Sequence, residues 1–170
     1  MKRFTVFLAF ALVLAGASAG LAVYESAGMH TYKASLSGAT EPPGTTMATG
    51  EASFELVPAG TGGTPAASGD VIRYQLRVKK IKNVRASHLH KGIPGTAEGP
   101  VIMPLFLGPE KSGEFSGMLA SGTITSKDLT GPFSGRSIAD LVALIKSGDV
   151  YVNVHTAAHP AGEIKGTVKE

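Results

Sequence analysis

The sequence predicts an all-β protein, an antiparallel Greek-key β-sandwich of about eight strands with one short helix. Three observations carry this. The 170 residues include 22 glycines and 10 prolines against 6% aromatics, a composition that demands many turns and short elements. Apolar and polar residues alternate with period two in several separate segments, which is the mark of half-buried strands. A single segment carries helical spacing. The length suits one domain with a sizeable core.

The chain opens with Lys2 and Arg3, an apolar run from Phe4 to Ala15, and the small residues Ala17-Ser18-Ala19. This pattern is that of a secretory signal cleaved after Ala19. The competing reading keeps the segment as an N-terminal membrane anchor, because Phe4 to Val23 is about as long as the roughly 20 residues a spanning helix needs. Residues 1–19 are thus read as signal peptide or anchor, 20–31 as a linker, and 32–170 as the folded domain. Either reading puts the domain outside the cytoplasm: secreted, periplasmic or anchored on the outer side. With Lys2 and Arg3 gone, 14 of the 16 basic groups face 13 acidic ones, and no basic cluster of the kind that displaces counterions from nucleic acid remains apart from Lys79, Lys80 and Lys82. The absence of cysteine excludes disulfides, thiolate ligands and a cysteine nucleophile.

"YKASLSG" from Tyr32 and "TGEASFELV" from Thr49 read as strands, the second with Ala52, Phe54 and Leu56 on one face and Glu51, Ser53 and Glu55 on the other. The loop between them holds Pro42 and Pro43, which supply no ladder donor. Residues 58–70 form a Gly- and Pro-rich hairpin tip leading to "VIRYQLRV", where Ile72, Tyr74, Leu76 and Val78 alternate with Arg73, Gln75 and Arg77. Lys79, Lys80 and Lys82 mark a strand end or turn before a separate strand, "VRASHLH". After the loop of residues 91–100 come "VIMPLFL" and "GEFSGMLASGTI". Ser137 with Asp140 three residues on forms a capping-box variant, and Ile138, Leu141, Val142 and Ile145 follow at helical spacing up to Gly148. "DVYVNVHT" and "EIKGTVK" are the closing strands.

Four of the five histidines fall in two tight groups at strand ends beside Gly/Pro loops: His88 and His90, then His155 and His159. In a strand, residues i and i+2 share a face, so His88 and His90 project together while Leu89 points to the core. In the later strand Val150, Val152 and Val154 share one face, and Tyr151, Asn153 and His155 share the other. If the two strands are neighbours, three imidazoles converge, a normal ligand set for copper or zinc. Their nitrogens should then lie within about 4 Å of one another. His159 is placed as a fourth ligand or a lid, and Glu163 to orient a histidine. His30, in the linker, receives no role. The opposing reading makes each histidine an ordinary polar residue at a strand end.

The stretches "ASHLHKGIPGTAEGPVIMPL", "GTITSKDL" and "LVALIKSGDVYVNVHTAAHPAGEIKGTV" resemble the CHRD domain, a module named for its occurrence in chordin and widespread in secreted microbial proteins. The resemblance spans most of residues 32–168. Its early proline motif is present as Glu41-Pro42-Pro43 without a preceding valine, and Lys165 stands where the family usually has arginine. It implies a secreted β-sandwich. The order of an H-x-H strand, a Gly-rich loop and a late V-x-V-H strand is also similar to copper/zinc superoxide dismutase, which implies His88, His90 and His155 as copper ligands. The zinc half does not carry over, since residues 91–100 contain neither histidine nor aspartate.

No nucleophile elbow is present, and the acidic residues show no pairing of the kind glycoside hydrolysis needs. No catalytic residue is assigned. The sequence therefore leads to a metal-binding module that captures or delivers copper, and after it to an adhesive or structural module contacting other extracytoplasmic proteins. A copper-only superoxide-handling enzyme comes third.

Overall fold

In the computed structural model the described residues are 30–38, 46–60, 69–94 and 98–170. The expected signal or anchor, most of the linker, the Pro42-Pro43 loop and the tip of the first long hairpin lie outside them. Among the described residues no helix is long and apolar enough to cross a membrane.

Seven strands form one antiparallel sheet: β1 (Thr31–Gly38), β2 (Thr49–Val57), β3 (Val71–Lys91), β4 (Val101–Phe106), β5 (Lys111–Ile124), β6 (Val150–Thr156) and β7 (Ile164–Thr167). The all-β antiparallel expectation holds, with one difference in how the layers meet. β2 and β5 flank the first half of β3, and β6 and β4 flank its second half. The pairings β3 to β2, β2 to β1, β1 to β7, β7 to β6 and β6 back to β3 complete a ring. The two layers are thereby joined into a closed barrel.

Closure depends on β3 being one strand of 21 residues where the sequence suggested two. The stretch "KKIKN" loses its alternation because it bends without turning back. Lys80 and Asn83 adopt left-handed backbone angles, φ 54° and 52°, and the register against β5 shifts between Val78 and Ile81 and again between Lys82 and Val84. These bulges re-aim the strand. Ile81, fully buried between them, keeps the bend pinned to the core.

The core is filled by the inward residues of each alternating run: Tyr32 and Leu36, Phe54, Ile72 and Leu76, Leu89, then Val150, Val152 and Val154. The α-helix of the described residues, α1 (Ile138–Lys146), begins as expected. Ser137 accepts a hydrogen bond from the Asp140 backbone N–H at 3.1 Å, and Asp140 Oδ2 accepts one from the Ser137 backbone N–H at 2.9 Å. Ile138, Leu141 and Ile145 form its buried stripe.

Leu89 is the inward side chain between the two β3 histidines and is 0% exposed. Its truncation leaves a cavity, so Leu89→Ala should destabilise the chain by about 2–5 kcal/mol, measured as a shift of the denaturant midpoint at unchanged slope.

Candidate metal centre

β6 lies against the second half of β3 with Ala86 opposite His155, His88 opposite Asn153, Leu89 opposite Val152 and His90 opposite Tyr151. Residues directly opposite in an antiparallel pair share a face. His88, His90, Tyr151, Asn153 and His155 therefore stand together on the outside of the barrel, while Leu89 and the valines face in.

This outer face is covered. His90, Tyr151 and Asn153 are at most 2% exposed; His88 and His155 are half-buried. One cover is the loop after β3, tied down by Lys91 N–H to the Pro100 carbonyl at 3.0 Å and by Gly92 N–H to the Asp149 carbonyl at 2.8 Å. Gly99 fits there because a Cβ would sit 1.7 Å from the Lys91 carbonyl oxygen. The other cover is the turn after β6, where Gly162 (φ 109°) packs so close to Asn153 that a Cβ would meet its Oδ1 at 1.9 Å.

Both covers orient imidazoles. His90 Nδ1 lies 2.7 Å from the Gly99 carbonyl and His155 Nδ1 lies 2.8 Å from the Pro160 carbonyl. A carbonyl only accepts, so each Nδ1 carries a hydrogen, and in the neutral ring Nε2 then presents a lone pair. His155 Nε2 faces His88 Nδ1 at 3.1 Å. Among the described residues His90 Nε2 is buried with no hydrogen-bond partner. Tyr151 stacks on His90, ring centroids 5.1 Å apart and planes 18° apart, and its hydroxyl accepts from Gly99 N–H at 3.1 Å.

The three imidazoles offer ligand nitrogens that all lie within 4.8 Å of one another. Two nitrogens at about 2.0–2.1 Å from one ion can be no more than about 4.2 Å apart; His88–His155, at 3.1 Å, meets the expected spacing, while the 4.8 Å that bounds the whole group is wider than it. An all-imidazole set suits Cu(II) and Zn(II). The structure thus brings together His88, His90 and His155. His159 is not in this group: its backbone is engaged by Thr156 and Gly162 in the turn, and it lines a separate hollow with Lys80, Lys82 and Glu163. Glu163 does not orient a histidine; its two oxygens accept from the Thr46 hydroxyl at 2.6 Å and the Thr156 hydroxyl at 2.8 Å. His30 lies 3.3 Å from Glu170 Oε1, far along the chain from the group.

Sequence reasoning put Tyr151 and Asn153 on the face of His155 but gave them no task. Asn153 Nδ2 donates to Glu98 Oε1 at 3.1 Å and to the Ala161 carbonyl at 3.2 Å, so it fastens both covers. The orienting carbonyls of Gly99 and Pro160 leave no side-chain signal to read.

Together these features define a class: an antiparallel barrel carrying an outward, loop-covered three-histidine centre. The chain belongs to the CHRD domain family, whose model matches residues 32–168. No curated protein and no solved structure matches it.

Burial first, and then the charges of His155 and His90, lower the His88 pKa from 6.5 to about 4. Burial likewise lowers that of His90. With the folded value below the unfolded one, the unfolded chain binds the proton first as pH falls. The contribution of neutral His88 is therefore complete above about pH 6.5 and is lost as pH falls towards 4. Denaturant midpoints of the metal-free chain should drop more between pH 7 and 4.5 than those of His88→Gln; parallel drops would refute the assignment.

Proposed function

We propose that this chain is an extracytoplasmic metal-binding module that captures or delivers copper through His88, His90 and His155, zinc being the alternative ion. The observation that supports this most is the His90 Nε2 lone pair, buried, unpartnered and set among two other imidazoles. A buried acceptor without a partner costs about 1–3 kcal/mol, and a bound cation removes that cost. The export reading is supported by the signal-like residues 1–19 and by the family's occurrence in secreted proteins. Contacts of the domain with other extracytoplasmic proteins are compatible with this role.

Copper titration of the full chain, followed by metal analysis, should give one equivalent bound at neutral pH. His88→Ala/His90→Ala should weaken it by at least about a hundredfold, since two of three ligands are lost. Absence of stoichiometric metal in the unmutated chain would leave the interaction-module reading in its place.

A further inference from the structure

Three imidazoles carry no negative charge, so a divalent ion among them would bring two uncompensated positive charges into a half-buried site, an expensive arrangement. Glu98 is the acid positioned to offset them. Its neighbour Gly99 is fixed to two residues of the site: the carbonyl bonds His90 Nδ1 at 2.7 Å and the N–H bonds the Tyr151 hydroxyl at 3.1 Å. The carboxylate itself is held by Asn153 Nδ2 at 3.1 Å, and Asn153 stands directly opposite His88 on the same face. Asn153 is fully buried and also bound to the Ala161 carbonyl, so the anchor is rigid.

We propose that Glu98, held at the histidine face by Asn153 and Gly99, is a specificity-determining residue that makes the site favour a divalent over a monovalent ion. It acts through its charge and not as a ligand: its oxygen bonds Asn153, and it lies outside the close group of ligand atoms.

This inference rests on the metal-binding reading and is tested separately from it. Interaction with a fixed charge scales with the charge of the ion, so neutralising Glu98 should cost Cu(II) the square of the factor it costs Cu(I). Chelator competition on the full chain should show Glu98→Gln weakening Cu(II) by about tenfold and Cu(I) by about threefold. Gln keeps an oxygen that can accept from Asn153, and matching thermal unfolding of the metal-free proteins verifies that the fold is intact. Equal losses for the two ions, or no loss, would overturn the role of Glu98 while copper binding by the unmutated chain stood. If the unmutated chain binds neither ion, both the role and the metal-binding reading fall.

Discussion

The histidine centre depends on the register with which β6 lies against the second half of β3. Because side chains alternate across a strand, a slip of one residue would turn every one of them over. Asn153, Tyr151 and His155 would then enter the core, and Val150, Val152 and Val154, all 0% exposed, would leave it. Each of those three contributes about 1.5–3 kcal/mol by burial, so the slip forfeits much of the stability a domain of this size possesses. The apolar face thus holds the polar one in place, and the imidazoles converge without any side-chain bond having to bring the strands together.

On this frame the two covering segments complete the site. Each supplies one backbone carbonyl to one imidazole, fixing the ring and its tautomer as outer partners do in metal centres. Glycine is needed where each cover touches the strands, at Gly99 and Gly162. The same burial that orders the rings disfavours their protonation, so His88 and His90 are held neutral and their lone pairs remain available near neutral pH. The result is a site that carries a cost, an orphaned acceptor and a cluster of like rings.

Much of this was legible in the residues. The alternation of "VYVNVHT" and the spacing of His88 and His90 gave the shared face, because period two is a property of the backbone and independent of what the strand packs on. The helix start was equally plain, since a capping box is local. What escaped depends on distant contacts. The bend at Lys80 and Asn83 reads as a turn because bulged residues break alternation much as loops do, and only the partners β2, β5 and β6 show that β3 continues. His159 follows His155 closely in sequence, yet the turn that carries Pro160 to the His155 ring uses the His159 backbone and leaves its side chain elsewhere.

The central claim is that the three imidazoles share one ion. A crystal structure of the copper-loaded chain with data collected at the copper absorption edge tests it most directly. One anomalous peak is expected on the outer face of β3 and β6, about 2.0–2.1 Å from one ring nitrogen of each of His88, His90 and His155. A peak placed instead at His159 or His30, with the His88–His155 hydrogen bond still intact, would contradict it.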